Sequence, residues 1–461
     1  MNAGRANYSG LRLSIIIAPM NAAGKEPTRG PATGRNALYA QSGGVTAVIN
    51  ATAAGLIAAA RRRGDVIGGV YAAHNGILGA LDEDLMDTAA LGDDDIAALA
   101  HTPASAFGTC RYKMKSLEEN EAEYRRLLDV FRAHDIGWFF YNGGGDSQDT
   151  TLKISQLGRA YDYPLTCIGI PKTVDNDLPL TDCCPGFGTT AKYVAVSTRE
   201  AALDVASMAK TSTKIFVLEV MGRHAGWIAA AAGLARERDG DAPHLILFPE
   251  IPFDEERVVR EAGRCVAEHG HCVIVVSEGV RDAGGRFLSE AGTRDAFGHA
   301  QLGGAAPRIA QLMTERLGHK HHWAVADYLQ RSARHIASRT DVEQARALGE
   351  AAIEMALAGQ DAVMATIVRE SDNPYRWRTG SAPLADVANR EKKLPRDYIS
   401  EDGFGITDAC KTYLRPLIEG EDYPPYKNGL PCYARPAHAP VPKKLKERLN
   451  PRQQTGAPPK K

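Results

Sequence analysis

The strongest constraint on the fold of this chain is a strand–turn–helix pattern that recurs along it. Residues 36–41 form a short apolar run that ends in a Ser-Gly-Gly turn, and an Ala- and Ile-rich stretch with helical character follows from 46 to 63. Two further apolar runs, at 136–141 and 165–170, also end in polar turns. Repeated alternation of this kind is typical of a mostly parallel sheet with helices on both faces. The pattern therefore predicts an α/β fold, with further strands at 215–220, 245–248 and 273–277.

The length of the chain and its two ends predict how the fold is divided. The 461 residues are enough for two or three lobes, because a single core stops growing near about 250–300 residues. Residues 1–35 are rich in Gly, Ala, Asn and Pro without periodicity, which predicts a mobile N-terminal extension. Residues 436–461 are rich in Pro and Lys, which predicts a basic, disordered tail.

Charge, apolar runs and cysteine usage exclude several classes of partner. The formal net charge is −1, so no overall field favours nucleic acid or an anionic membrane, and an anionic ligand must be held by a local cluster. No apolar run approaches the roughly 20 residues that a membrane span needs. The eight cysteines include no CxxC pair, which in a chain this long indicates reduced thiols. We therefore expect a cytoplasmic enzyme that binds neither nucleic acid nor a membrane.

Polar and glycine-rich turns follow the predicted strands, at the edge of a parallel sheet where ligands bind. The turns at 42–44 and 142–147 lead into helix N-termini, whose N–H groups and dipole favour phosphate. Neither matches a Walker A loop or a dinucleotide fingerprint. Each turn alone is weak evidence, because many glycine turns are only tight connections between a strand and a helix.

The segment 171–177 carries the most specific chemical signal. Asp175 and Asp177 follow a buried strand directly, and Lys172 and Thr173 precede them. An Asx-rich turn that caps the next helix is the structural alternative, but it does not explain the lysine and the threonine. A cation, a hydroxyl, a base and metal-binding oxygens are together what phosphoryl transfer requires.

Three other strand ends carry ambiguous signals. In the segment 221–227 the glycines allow close approach of a ligand, and Arg223 is able to grip a phosphate through its planar fork. Glu278 follows a Val-Val-Ser strand end, where a carboxylate accepts hydrogen bonds from sugar hydroxyls. Each feature is equally compatible with an ordinary turn or an exposed side chain, and the same holds for residues 328–331.

Seven short motifs nevertheless occur in a distinctive order. They are SGG followed by Asn (42–50), CRYK (110–113), GGGDS (143–147), PKTVDND (171–177), MGRHAGW (221–227), SEG (277–279) and YLQR (328–331). In this order they resemble the phosphofructokinase family over roughly residues 36–370. The continuation to about residue 430 resembles the longer, pyrophosphate-dependent members of that family.

The resemblance implies an architecture of two lobes with the active site in the cleft between them. A donor-binding lobe spans 36–185 and is completed by roughly 335–400, a sugar-phosphate-binding lobe spans 186–334, and residues 401–435 pack on the core. Sites in this family borrow residues from a neighbouring subunit, which implies a homo-oligomer, in our prediction a dimer. Lys214 aligns with a neighbour-subunit Arg of ATP-using relatives, so it keeps the charge but loses the planar fork.

The resemblance also implies the roles of the site residues. Asp175 matches the base that deprotonates the C1 hydroxyl of fructose 6-phosphate, and Arg111 matches a cation that neutralises the transferring phosphoryl group. The implied catalytic residues are Asp175, Lys172, Asp146 and Arg111, and the implied donor-binding residues are Gly44, Gly144, Asp146 and Lys172. The implied substrate-binding residues are Thr173, Val174, Asp175, Asp177, Met221, Gly222, Arg223, Glu278, Tyr328, Leu329, Gln330 and Arg331, with Tyr328 where many ATP users have His.

Two positions favour pyrophosphate over ATP as the donor. ATP-using relatives usually carry Gly where this sequence has Asp146 and Lys172. A carboxylate at 146 would meet the α-phosphate of ATP, and like charges in a closed site cost several kcal/mol. Lys172 supplies the positive charge that a pyrophosphate transition state needs. The alternative is neutral variation in a loop.

The predicted metal is Mg²⁺, although one expected ligand is missing. Many relatives have an acidic residue at the position of Gly145, so Asp146, with Asp177, water and the phosphates, would have to hold the ion. The predicted activity is reversible phosphorylation of fructose 6-phosphate by pyrophosphate. An ATP-dependent phosphofructokinase and a non-catalytic regulatory subunit that binds sugar phosphates remain the alternatives, and the intact Asp175, Lys172 and Arg223 count against the second.

Overall fold

The computed structural model describes residues 34–288, 290–294, 300–435 and 439–445. The predicted N-terminal extension therefore lies outside the described residues, except for its last two. Of the predicted C-terminal tail only 439–445 are described. They lie along one edge of the large sheet, where the N–H of Val441 donates to the carbonyl of Leu85 at 2.8 Å.

The strands of the described residues are β1 (Arg35–Gln41), β2 (Ile67–Ala73), β3 (Leu85–Asp87), β4 (Ile136–Gly143), β5 (Thr166–Pro171), β6 (Ile215–Val220), β7 (Leu245–Leu247), β8 (Cys272–Ser277), β9 (Glu290–Arg294), β10 (Ala300–Leu302), β11 (His321–Val325), β12 (Val363–Asp372), β13 (Tyr375–Pro383), β14 (Tyr426–Lys427) and β15 (Leu430–Pro431). The helices are α1 (Ile49–Arg62), α2 (Ile77–Leu81), α3 (Asp93–Ala100), α4 (Glu121–Ala133), α5 (Gly145–Ala160), α6 (Phe187–Met208), α7 (Trp227–Ala232), α8 (Glu255–His269), α9 (Ala305–Leu317), α10 (Asp327–Ser332), α11 (Arg339–Leu357), α12 (Leu384–Val387) and α13 (Asp408–Leu414). No helix among the described residues is both long enough and apolar enough to cross a membrane.

Two parallel-rich sheets form the framework, and they confirm the predicted α/β fold. The large sheet has seven strands in the order β13-β12-β5-β4-β1-β2-β3, with antiparallel pairs at both edges and parallel pairs between them. The smaller sheet has four parallel strands in the order β11-β6-β8-β7. Every residue of β4 and of β8 is buried, as expected for strands covered by helices on both faces.

The sheet order brings distant polar turns together. The segments that follow β1, β4 and β5 come from the large sheet, and those that follow β6, β8 and β11 come from the smaller one. All six line one cleft between the two sheets. The strand ends that carry the sequence motifs therefore meet at a single place, as the rule for parallel sheets predicts.

Candidate active site

The cleft has a volume of about 1170 Å³ and is lined mostly by polar and charged residues. The lining includes most of the residues that the sequence motifs indicated. They are Gly44, Arg111, Gly144, Asp146, Lys172, Thr173, Val174, Asp175, Asp177, Met221, Arg223, Glu278, Tyr328, Gln330 and Arg331.

Two of the indicated residues do not line the cleft. Leu329 lies on α10 with its side chain 64% exposed, because successive side chains on a helix point about 100° apart and cannot all face one cleft. Gly222 lies behind the lining, at a φ of 127°, and its carbonyl accepts a hydrogen bond from Ser277 Oγ at 2.6 Å. Gly222 thus shapes, from behind, the segment 221–227, which we call the sugar-side strip.

Lys172 bridges the two turns at the donor end of the cleft. Its Nζ donates to the carbonyl oxygen of Gly44 at 2.5 Å, and the side chain is buried. Burial, together with the positive charges of Arg331 and Arg111, lowers the pKa of Lys172 to about 7. Binding of an anion beside Lys172 would raise this pKa again, because the negative charge stabilises the protonated form of the lysine.

Gly44 lies against two guanidinium groups. A Cβ atom at position 44 would be 2.9 Å from Nη1 of Arg331 and 3.6 Å from Nη2 of Arg111, so a side chain here would displace the first group. Arg331 also lies over the ring of Tyr328, with 3.8 Å between Cζ and the ring centroid. The resemblance implied a sugar-side role for Arg331, and the structure places its guanidinium within reach of the donor turn as well.

Three partly buried carboxyl groups, those of Asp175, Asp177 and Glu278, face the acceptor half of the cleft. Burial, together with the negative charges of Asp177 and Glu278, raises the pKa of Asp175 to about 8. Burial likewise raises the pKa of Glu278 to about 7, against the opposing effect of Arg223. A buried carboxyl group whose pKa lies near neutrality is suited to act as a general base.

Asp146 forms an ion pair with a residue that the sequence reasoning did not select. Its Oδ1 lies 2.7 Å from Nζ of Lys113, and this hydrogen bond raises the pKa of Lys113. Lys113 stands two residues after Arg111 in the CRYK motif, and that spacing was the available signal. This ion pair therefore holds the carboxylate of Asp146 in place at the donor end of the cleft.

Gln330 supports the sugar-side strip from below. Its side chain is buried, and Oε1 accepts a hydrogen bond from the backbone N–H of Met221 at 3.3 Å. Lys214 lies outside the cleft lining at the start of β6, where Nζ donates to the carbonyl of Ala209 at 2.7 Å.

A loop without any recognisable motif also lines the cleft. Asn389, Arg390, Glu391 and Lys393 contribute to the wall, and His224 faces them from the MGRHAGW segment. Oε1 of Glu391 lies 2.6 Å from Nδ1 of His224. Sequence reasoning missed this loop because nothing in its local pattern indicates that it reaches the cleft.

The cleft offers oxygen ligands but no ready-made cage for a metal ion. In the part of the chain that the structure describes, no group of three His, Cys, Asp or Glu side chains is arranged to hold a metal. Oδ1 of Asp177 is buried and has no hydrogen-bond partner among the described residues. One or two carboxylates with several waters suit Mg²⁺, so the residues present fit this ion if the phosphates complete its shell.

Comparisons with known proteins agree with this geometry. A family model described as Phosphofructokinase matches residues 36–356. The pyrophosphate–fructose 6-phosphate 1-phosphotransferase of Methylococcus capsulatus is 66% identical over 411 residues, which cover 89% of this chain and 98% of the relative. The enzyme of the same name from Xanthomonas campestris is 58% identical over 415 residues, which cover 90% and 99%. The crystal structure of the pyrophosphate-dependent phosphofructokinase from Marinobacter aquaeolei matches with a TM-score of 0.83 at 58% identity, covering 90% of this chain and 100% of that one.

Proposed function

The chain belongs to the phosphofructokinase family, and from this premise we propose that it transfers a phosphoryl group from pyrophosphate to the C1 hydroxyl of fructose 6-phosphate. The products are fructose 1,6-bisphosphate and orthophosphate, and the reaction is reversible. The observation that carries the proposal is the donor end of the cleft. There the buried Lys172 and the ion pair between Asp146 and Lys113 replace the glycines that suit a nucleotide.

Asp175 is the proposed base of the acceptor half. Its carboxylate takes the proton from the C1 hydroxyl, whose oxygen then attacks one phosphorus of pyrophosphate in line. Arg223 holds the 6-phosphate of the sugar, because a guanidinium matches two phosphate oxygens at once. Glu278 accepts hydrogen bonds from sugar hydroxyls.

Lys172, Arg111 and Arg331 serve the donor half. Their positive charges surround the turn at Gly44, where the two phosphates of the donor bind. Preorganised cations lower the free energy of a transition state in which negative charge builds up on the leaving phosphate. Because Lys172 is buried, little solvent screens its charge.

Mg²⁺ is the proposed cofactor, with the carboxylates of Asp177 and Asp146 as its protein ligands. The unpartnered Oδ1 of Asp177 supports this assignment, and Asp146 would have to turn away from Lys113 to contribute. When bound, Mg²⁺ neutralises charge on the pyrophosphate oxygens.

The donor is tested by initial rates on fructose 6-phosphate with pyrophosphate or with ATP, each with Mg²⁺. We expect the wild-type enzyme to turn over with pyrophosphate and to use ATP at least about 10³-fold less well, because a like-charge contact in a closed site costs several kcal/mol. Asp146→Gly is expected to lower the rate with pyrophosphate and to reduce the ratio of the rate with pyrophosphate to the rate with ATP. Asp146→Asn is the matched variant, since it keeps the side chain's shape and removes only its charge.

The same assay decides between the proposed function and its alternatives. A wild-type preference for ATP would overturn the donor assignment and leave the sugar kinase reading intact. No turnover of the purified chain with either donor would favour the non-catalytic regulatory subunit.

We further propose that the enzyme is a cytoplasmic homodimer. Its eight cysteines are unpaired, which fits a reducing compartment. The edge strand β11 exposes the apolar side chains of Trp323 and Val325, and an exposed edge strand of this kind is suited to cover by a second copy. Light scattering should give about twice the chain mass of 49.6 kDa, and Trp323→Glu should lower it toward the monomer. Leu430→Glu, at an exposed position on β15, is the control, and a monomeric wild type would contradict the proposal.

A further inference from the structure

The loop at 389–393 lies beyond the residues that the family model matches, yet four of its five residues line the cleft. It follows α12 and runs between the catalytic loop at 171–177 and the strip at 221–227. Its contacts reach both segments, and Nδ2 of Asn389 also donates to Oδ1 of Asp149 on α5 at 3.0 Å. We call residues 389–393 the clasp.

Lys392 ties the clasp to the catalytic loop. Its backbone N–H donates to the carbonyl of Asp177 at 2.6 Å. Its Nζ donates to Oδ1 of Asn176 at 3.2 Å and to the carbonyls of Thr181 and Asp182 at 3.1 and 2.8 Å. One ammonium group thus joins the tip of the loop to the chain just beyond it.

The contact with Asn176 is important because of the position and the backbone conformation of this residue. It stands between the two catalytic-loop carboxylates and has a φ of 53°, a left-handed conformation that a residue other than Gly holds only with support. Its Nδ2 donates to the hydroxyl of Tyr413 at 3.0 Å, and its Oδ1 accepts from the N–H of Cys184 at 3.0 Å as well as from Lys392. Lys392 supplies the charged member of this set.

Glu391 and the backbone of the clasp hold the sugar-side strip. The carboxylate of Glu391 contacts His224, and the carbonyl of Lys392 accepts from Nε1 of Trp227 at 3.0 Å. The N–H groups of Leu394 and of a glycine in the strip both donate to Oε1 of Glu250, at 3.1 and 2.9 Å. One short loop therefore contacts both of the segments that must be aligned for reaction.

We propose that the clasp sets the catalytic loop against the sugar-side strip, with Lys392 as a positioning residue for Asp175 and Glu391 as a positioning residue for the strip. The inference rests on the proposed function, because it assigns Asp175 as the base. Misplacement of reacting groups by 1 Å costs about 10²-fold in rate. Neither side chain needs to touch the substrate to exert such an effect.

The test compares Lys392→Met and Glu391→Gln in the full-length enzyme. Lys392→Met is expected to lower kcat by about 10- to 100-fold with the KM for pyrophosphate changed less than about twofold, because the side chain contacts the catalytic loop and the ring of Trp227 but none of the donor-binding residues. Glu391→Gln is expected to raise the KM for fructose 6-phosphate about fivefold with a smaller change in kcat, since it weakens a charge-assisted contact of the strip. Lys411→Met is the matched control, because Lys411 pairs with Asp408 on α13, away from the cleft lining.

Thermal unfolding of each variant separates positioning from general stability. A folded Lys392→Met enzyme that keeps kcat within about twofold of wild type would overturn the proposal. So would two variants that lose all kinetic constants in the same proportion, since a general structural defect has that result. If Lys392→Met does not fold, Glu391→Gln decides, and an unchanged KM for fructose 6-phosphate overturns the clasp. Absence of wild-type turnover would instead count against the proposed function.

Discussion

Replacing Asp175 with Asn is expected to lower kcat by about 10²- to 10⁴-fold, because an amide cannot take the proton from the C1 hydroxyl. The side chain is partly buried and lines the cleft, and desolvation raises its pKa to about 8. Asn keeps the shape of the side chain, so the KM for fructose 6-phosphate should change little. Release of orthophosphate at saturating substrates measures the effect.

The same substitution is expected to raise the thermal unfolding temperature near pH 8. The pKa of Asp175 rises from 3.8 to about 8 on folding, so the native state binds more protons than the unfolded state between these values. Stability attributable to Asp175 therefore falls as the pH rises through this window, and the Asn variant lacks that loss. A variant that is less active and more stable cannot be explained by misfolding.

Asp182→Asn provides the contrasting control. Oδ1 of Asp182 pairs with Nε of Arg369 at 2.9 Å, and both side chains are largely buried, so removal of this charge should lower the unfolding temperature. If Asp175→Asn keeps more than about a tenth of the wild-type kcat, another group takes the proton. If its unfolding temperature falls, the carboxylate of Asp175 stabilises the fold, contrary to the effect expected from its burial.

Predictions that depended on local pattern agree with the structure most closely. The apolar runs at 136–141 and 215–220 became β4 and β6, with bounds that differ by two residues or fewer. The alternation of strands and helices also predicted the parallel sheets that the structure contains. Each of these features follows from short-range periodicity and from the general rule that strand ends of a parallel sheet meet at one edge.

Features that depend on contacts between distant segments were not accessible in this way. The pairing of Lys113 with Asp146 requires the loop before α4 to meet the turn after β4, and the CRYK motif marks Lys113 without indicating its partner. Lys392 and Asn176 are 216 positions apart. The motif at 328–331 led to the opposite mistake, in which a residue outside the cleft was included. Four consecutive residues were assigned to the site, but on helix α10 the side chain of Leu329 points away from the cleft.

Lys172→Met is expected to lower kcat/KM for pyrophosphate by about 10²- to 10³-fold, because it removes a preorganised charge from a buried site that faces the donor. The Nζ atom donates to the carbonyl of Gly44 at the centre of the donor turn, and the side chain is buried. Met retains most of the side-chain volume, so the cleft should keep its shape. Binding of fructose 6-phosphate, measured without a donor, serves as the control and should change little.

The pH dependence of the same constant tests the protonation state of Lys172 directly. Its pKa of about 7 means that the ligand-free enzyme carries this charge below that pH and loses it above, and kcat/KM reports the free enzyme. We therefore expect the contribution of this charge to kcat/KM for pyrophosphate to fall above about pH 7, by up to tenfold per pH unit. Ionisation of Asp175, whose pKa is about 8, acts in the opposite direction up to that pH, so the contribution of Lys172 has to be read against a variant that keeps its charge. Lys172→Arg stays charged throughout, since a guanidinium does not titrate in this range.

The ratio of kcat/KM for pyrophosphate in the wild type to that in Lys172→Arg isolates the effect of the titration of Lys172. Titration of pyrophosphate and of Asp175 affects both enzymes alike and largely cancels in the ratio, whereas loss of the lysine charge affects only the wild type. A ratio that falls between about pH 6 and pH 8 supports a charged Lys172 as the form that captures the donor. A flat ratio would mean that the charge on Lys172 persists in the ligand-free cleft, and burial would then be offset by the carboxylates of Asp175 and Asp177, whose charges act to raise its pKa.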